Sequence, residues 1–455
     1  MLIDYRTDSG RRESGEAVPA TVAPAGSVRR RLAVGVGWSV AGGVLWQGCA
    51  LLSSIVAARM IGKLAYGHLA TVQTTAISLS NLASLGLGVT ATKYVSQFRD
   101  SDPARAGRIL GLSSMVALLA ATAFALSLLW SAPSVSLASF RTAALTPELR
   151  VAAGYVFFTI WNGYQAGALA GLESFRRLAQ LSAWYGVTSL IVTILLSHWL
   201  GERGAVLAFS AGALLLWSFH QFALRRELRR FKIKVSWRGA WQERSVLVRF
   251  AVPATFSGVI GSVAIWWCYC WLVQSRGFAE MAVYTAANNL RAAVLFAPNL
   301  VTRVTLPLLN NLQANRLGNA YRRMFWLSLW ANGGIAVAVA FVLALAGPRM
   351  LKWFGRDFAA GPTLLWLLMG SAVLEVVACN LYQATFARQS LFWQIAVISL
   401  WAAVLVGATR LLVRPLAASG LAAAYGISWA ISALFYLKLY RPPQSLADDE
   451  AADAK

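Results

Sequence analysis

Long apolar runs alternate with short polar breaks along this chain, and the runs are too long for core strands or ordinary core helices. Taking roughly 20 apolar residues as enough to cross a hydrocarbon core, the pattern predicts twelve membrane-spanning helices: 34–60, 66–92, 109–130, 151–172, 178–200, 205–224, 250–272, 283–308, 324–346, 361–387, 391–411 and 418–439. A basic stretch at 225–249 divides them into two sets of six. The expected organisation is a disordered tail (1–33), an N-terminal six-helix bundle (34–224), a basic linker (225–249), a C-terminal six-helix bundle (250–439) and a second tail (440–455). A weak internal repeat supports the division. The turn Arg59-Met60-Ile61-Gly62-Lys63-Leu64-Ala65-Tyr66-Gly67 precedes a span with Gln73, Thr74 and Asn81 in its interior and Lys93 at its end. The turn Ser275-Arg276-Gly277-Phe278, running on to Tyr284, precedes one with Asn288, Asn289 and Arg291. Six spans is an even number, so the two sets enter the membrane in the same sense, as parallel repeats do, with a site expected where they meet.

The run 280–311 breaks the apolar pattern most sharply, because it carries Arg291, Arg303, Asn288, Asn289, Asn299, Pro298 and Pro307. An arginine at the centre of a span costs about 2.5–3.5 kcal/mol on insertion scales, so it is expected to face a bundle interior or a wet cavity. At 100° per residue, Asn288, Arg291, Leu295, Pro298, Asn299, Thr302 and Thr305 share about a third of the helix circumference. That stripe reads either as polar packing between helices or as a substrate-facing surface. Arg303, pointing elsewhere and near the span end, reads as a snorkelling anchor. Pro253, Pro298 and Pro307 are expected kink points. Glu375 is the one acidic residue well inside an assigned span. It reads either as a structural partner for an intramembrane arginine or as a proton or Na⁺ site for coupled transport.

Composition agrees with the pattern: 455 residues, 58% hydrophobic and 13% charged, with a mean hydropathy of +0.57, describe a polytopic membrane protein. The net charge of +23 comes from 41 Lys and Arg, and with the N-terminus inside these divide into 28 in tails and cytoplasmic loops, 11 outside and 2 within a span. This is the positive-inside bias. Both termini are therefore expected in the cytoplasm, and the basic pI of 10.7 requires no nucleic-acid partner. The 225–249 stretch reads as a solvated linker that touches anionic membrane lipids, or as arginines gathering a phosphorylated lipid-linked substrate. The loops are too short for a catalytic domain, and no phosphate-binding G-x-x-x-x-G-K-[ST] motif is present, so neither an enzyme nor an ATP-driven pump is expected. His68, His198 and His220 lie near span ends without ligand spacing and are expected at the interface. Cys49, Cys268, Cys270 and Cys379 all fall in spans; no disulfide, metal or cofactor is expected. The cluster Trp266-Trp267-Cys268-Tyr269-Cys270-Trp271 reads as the end of an interfacial aromatic belt or as an aromatic wall for a sugar.

Several motifs in order resemble the polysaccharide (O-antigen type) flippases of the multidrug/oligosaccharidyl-lipid/polysaccharide exporter superfamily. They are the turn from Ala57 to Gly67, Leu85-Gly86-Leu87-Gly88 with Thr90 to Val95, Gly171-Leu172-Glu173-Ser174-Phe175, Phe250-Ala251-Val252-Pro253, Tyr284 to Asn288, and Gly355-Arg356-Asp357-Phe358. The resemblance runs from about Arg31 to Leu439. It implies an all-α integral membrane protein of about twelve helices in two pseudo-repeated six-helix bundles around a central cavity, in the bacterial inner membrane. The implied activity is alternating-access transfer of an undecaprenyl-pyrophosphate-linked oligosaccharide to the periplasmic leaflet, with a polysaccharide polymerase and other glycan assembly proteins as candidate partners. Cations would meet the pyrophosphate and neutral donors the glycan. The positions that fit are Arg291, Arg59 and Lys93, with Gln73, Asn81, Asn288 and Asn299; Glu375 is the candidate ion-coupling residue. Arg59 and Lys93, near span ends, also read as snorkelling anchors. Many members carry an acidic residue in the seventh span, and this chain does not. The alternatives are a multidrug cation antiporter of the same superfamily, which would want several cavity carboxylates, and a polytopic enzyme of glycan assembly, which would want a larger, more acidic outer loop than 131–150.

Overall fold

The computed structural model describes residues 25–83, 86–243, 252–314, 317–358, 361–386 and 391–440, and among them it is all-helical, with no strand. Eleven α-helices follow one another among the described residues: α1 (Ala25–Ile61), α2 (Lys63–Ala83), α3 (Leu87–Phe98), α4 (Pro103–Phe140), α5 (Thr146–Gly171), α6 (Phe175–Arg230), α7 (Val252–Arg276), α8 (Phe278–Ala314), α9 (Gly318–Leu351), α10 (Pro362–Phe386) and α11 (Leu391–Leu439). Seven of them, α1, α4, α6, α7, α9, α10 and α11, contain stretches long and apolar enough to cross a membrane by length and composition. The terminal segments 1–24 and 441–455, the 244–249 part of the basic stretch and the side chains of Pro253, Arg303 and Pro307 lie outside the described residues.

The helices differ from the expected spans in instructive ways. The tail expected to be disordered up to residue 33 is helical from Ala25, because a nucleated helix gains a hydrogen bond with each residue added to it. The 66–92 span is divided into α2 and α3 at Gly86, which takes the left-handed conformation (φ 61°, ψ 12°) that glycine adopts without a steric penalty. Conversely, the expected spans 178–200 and 205–224 run on as α6, and 391–411 and 418–439 as α11. Each of these two helices doubles back at one non-helical residue, Gly201 (φ 58°, ψ −130°) and Ala417 (φ 50°, ψ −128°). A side chain at Gly204 would overlap the carbonyl of Leu196, and the Trp401 ring lies 5.1 Å from that of Trp429, so both chains return antiparallel to themselves. Helix α8 is continuous through Pro298 and Pro307.

Packing separates the helices into α1–α6 and α7–α11, with α2 meeting α7 and α8 between the sets. The buried cores show how the sets are joined. One hydrophobic cluster, including Tyr66, Ala76, Leu128, Leu149, Tyr284, Leu290, Phe354, Leu365 and Tyr425, draws on both sets. It lies toward the end where α1 finishes and α2 begins, and where α7 finishes and α8 begins. Toward the opposite end the core divides. Val95, Leu110, Leu169 and Leu224 pack within the first set, whereas Leu309, Phe325, Leu381 and Tyr436 pack within the second. The two sets thus share a core at one end and keep private cores at the other. The basic stretch is tied to α4: Ser236 N–H donates to the Gly107 carbonyl (3.2 Å), and Glu243 pairs with Arg105 (3.3 Å) and Arg108 (3.4 Å).

Candidate functional site

At the joined end, polar side chains from the first set reach partners in the second. Tyr66, near the start of α2, has its Oη 2.5 Å from Ser54 Oγ of α1. The amide of Asn289 on α8 donates to both, at 2.7 Å to Ser54 and 3.2 Å to Tyr66. The Tyr66 ring is fully buried and meets Phe354 and Phe358 edge-on, with centroids 6.2 and 5.7 Å away. Trp266 Nε1 donates to Thr75 Oγ1 (3.2 Å), Gln274 Nε2 to the Ser139 carbonyl (2.9 Å), and Arg59 Nε to the Trp353 carbonyl (2.5 Å). The close approach here depends on Gly67, since any Cβ would overlap the backbone of Phe278.

Two cavities lie beside this junction, the smaller within the first set of helices, where among the described residues Asn289 alone comes from the second, and the larger between the sets. The smaller, of about 310 Å³, is walled by Ser53, Ser54, Tyr66, Gln73, Tyr185 and Asn289, among others. The larger, of about 800 Å³, lies toward the divided end and is walled by Gln47, Ser182, Phe296, Asn299, Thr302 and Gln383. Trp46 belongs to both walls, so the cavities adjoin at that side chain. Among the described residues, neither wall contains a charged side chain. Such a surface offers amide and hydroxyl hydrogen bonds with aromatic faces between them.

The arginine and the glutamate singled out in the sequence meet each other, away from these two walls. Arg291 of α8 forms an ion pair with Glu375 of α10 through Nη2, donates from Nη1 to Asn288 Oδ1 (3.4 Å), and lies 5.5 Å from the centroid of the Tyr425 ring. The two side chains are 12% and 21% exposed. Arg291 Nε is buried without a hydrogen-bond partner. Pairing cancels the net charge that either group alone would carry into the apolar interior.

Of the other expected site residues, Gln73 lines the smaller cavity and Asn299 the larger. Asn288 belongs to the Arg291 cluster. Asn81 and Lys93 are exposed on α2 and α3, Lys93 with its ammonium 5.3 Å from the Tyr94 ring, and Arg59 is part of the joined end. The α8 stripe therefore divides by depth. Thr302 and Thr305 accept hydrogen bonds from Asn332 and Ser328 of α9, both at 3.3 Å, and Asn332 also donates to Asn380 of α10 (2.9 Å). Reading the stripe as one surface missed Asn289, which is turned by one residue toward α1 and α2. Gln47 and Gln383 were missed too, although an amide in an apolar span is itself a signal. His220, expected at the interface, is instead buried (6% exposed) with Nδ1 3.0 Å from Asn162 Oδ1.

Known proteins place this architecture. Among solved structures, the chain is similar to an inward-facing multidrug resistance MATE transporter of the MOP superfamily, with a TM-score of 0.72 at 15% identity over 87% of this chain and 93% of that one. An outward-facing MATE transporter superposes with a TM-score of 0.68 at 15% identity over 89% and 94%. A MOP superfamily transporter from Pyrococcus furiosus gives 0.67, also at 15% identity, over 89% and 94%. These likenesses establish the fold. In sequence, it is 23% identical over 392 residues (84% of this chain, 86% of the relative) to the EPS I polysaccharide export inner membrane protein EpsE of Ralstonia solanacearum. The EpsE of Ralstonia nicotianae is 24% identical over 389 residues, with the same coverage. Residues 32–313 match the polysaccharide biosynthesis protein family. With a match across more than half its length and the MATE-like helical fold, the chain belongs to the polysaccharide biosynthesis protein family.

Proposed function

We propose that this chain is an inner-membrane transporter that moves an undecaprenyl-pyrophosphate-linked oligosaccharide from the cytoplasmic to the periplasmic leaflet by alternating access. In this reading its twelve spans form two six-helix bundles, 34–224 and 250–439, with both termini in the cytoplasm, and the joined end is periplasmic. The observation that carries it is the neutral cavity lying between two sets of helices that share a core at one end and have private cores at the other. A substrate entering at the divided end would find sugar hydroxyls matched by amides and hydroxyls, and sugar faces by Trp46 and Phe296. The family and the polysaccharide export relatives support the same substrate class.

In this reading Asn299, Gln383, Gln47 and Gln73 contact the glycan, and Arg291 with Glu375 acts as a neutral pair that holds α8 against α10. A multidrug cation antiporter would need carboxylates on the cavity wall. Among the described residues these walls have none, and Glu375 is already held by Arg291. The test is transport by the purified chain in proteoliposomes, using a lipid-linked oligosaccharide whose outward appearance is read by an added glycosidase. Protein-dependent exposure of the glycan supports the assignment. Efflux of a lipophilic cation without glycan transfer would overturn it.

A further inference from the structure

The tryptophan-rich end of α7 belongs to neither the cavities nor the Arg291 cluster, and its arrangement is specific. Trp267 and Trp271, one helical turn apart, stack with centroids 5.5 Å apart and planes at 12°. Arg410 of α11 lies over both rings, 4.9 Å from Trp267 and 5.8 Å from Trp271, and Arg414 lies 5.5 Å from Trp271. Beside them is a cavity of about 300 Å³ lined by Arg141, Trp271, Gln274, Ser275, Arg276 and Arg414. The guanidiniums come from three places: Arg141 from the end of α4, Arg276 from the end of α7, and Arg410 and Arg414 from the first limb of α11. Arg276 bonds the Arg414 carbonyl, and Gln274 bonds Ser139 of α4. Among the described residues, none of these four arginines makes an ion pair. The described residues of the cavity wall include no acidic side chain.

Three facts make this more than a set of surface charges. The four arginines are among the eleven cations counted outside, where the topology rule disfavours such a concentration. Arg141 closes α4 as its left-handed C-cap (φ 56°), with its N–H on the Leu137 carbonyl, so its backbone is fixed at the end of the first set of helices. The arginines over the Trp rings are held by cation–π contacts before any ligand arrives, which reduces the entropy lost on binding.

We propose that this cluster is a binding site for the phosphate group of a lipid at the membrane surface of the joined end. Guanidinium forks match phosphate oxygens bidentately, and the indole pair sets the site at headgroup depth. Because Arg141 belongs to the first set of helices and the other three to the second, a bound phosphate bridges the sets. It therefore stabilises the arrangement in which that end is joined. The proposal is independent of the transport assignment, and its readout is binding.

The experiment is native mass spectrometry of the full chain, purified in detergent and titrated separately with phosphatidylglycerol, undecaprenyl phosphate, inorganic pyrophosphate and phosphatidylcholine. The wild type is expected to retain at least one anionic phosphate ligand and to bind phosphatidylcholine no better than the variants do. Arg410→Gln/Arg414→Gln should weaken the anion about tenfold or more, as the loss of charge-assisted hydrogen bonds predicts. Arg414→Lys, which keeps the charge and loses the fork, should fall between, and this conservative variant guards against a folding defect. Preference for phosphatidylglycerol identifies a bulk lipid as the source, preference for undecaprenyl phosphate identifies the carrier lipid, and competition by pyrophosphate shows that the phosphate alone is recognised. Equal retention by wild type and both variants, or no anion retained by the wild type, would overturn the proposal.

Discussion

Arg291 and Glu375 pair at matched depth: each lies thirteen residues after the first residue of its helix, Phe278 in α8 and Pro362 in α10. At 1.5 Å per residue that is about 20 Å along each axis. One crossing, α9, separates the two helices, so they run in the same direction and equal distances from their starts mean equal depth. The pair is what lets two charged residues sit in an apolar interior.

Breaking the pair should therefore cost more than deleting it. Arg291→Gln leaves a half-buried, unpartnered carboxylate and is expected to destabilise the protein by about 3 kcal/mol. The double variant Arg291→Gln/Glu375→Gln should recover much of that. Thermal unfolding of Arg291→Gln, Glu375→Gln and the double variant in detergent gives the coupling, and losses that simply add would show that the two residues do not act as a pair.

The cavity wall predicts a graded effect on transport. Asn299→Ala and Gln383→Ala each remove one neutral hydrogen-bonding group, worth about 0.5–1.5 kcal/mol, and should slow transfer of a lipid-linked oligosaccharide by roughly 2- to 10-fold with unchanged unfolding temperature. Asn81→Ala, on an exposed position of α2 away from these walls, should stay within about twofold of wild type. The reverse ranking would place the substrate path elsewhere.

Gly67 controls how closely the sets approach. A methyl group there overlaps the backbone of Phe278, so Gly67→Ala should hold the starts of α2 and α8 apart. The expected result is a several-fold rise in the rate at which a water-soluble maleimide labels a cysteine placed at Ser54. An unchanged rate would show that the contact does not limit closure.

Much of the architecture is legible in the hydrophobic pattern, because a bilayer leaves few choices to a run of twenty apolar residues. What the pattern cannot supply is azimuth and depth. The stripe on α8 was read as one surface, whereas its residues meet different neighbours: Asn288 and Arg291 at the level of Glu375, Thr302 against Asn332, and Asn299 in the open cavity. Periodicity gives a side chain's direction only relative to its own helix, so nothing in it says which neighbouring helix lies there. The Arg291–Glu375 pair was nevertheless within reach, since helix starts and alternating direction suffice to compare depths. Residues such as Ser54, Tyr66 and Asn289 were not, because their joint role arises only when α1, α2 and α8 are packed together.

The joined end and the divided end are the centre of the account, and the 2.7 Å hydrogen bond between Asn289 and Ser54 marks the junction. In a background with Cys49, Cys268, Cys270 and Cys379 replaced, the double variant Ser54→Cys/Asn289→Cys can be bridged in membranes by an oxidant or by a short bis-methanethiosulfonate reagent. The bridge is expected to form readily, bridged protein to transfer no lipid-linked oligosaccharide in proteoliposomes, and a reductant added to the bridged form to restore transfer. Undiminished transfer by fully bridged protein would contradict this.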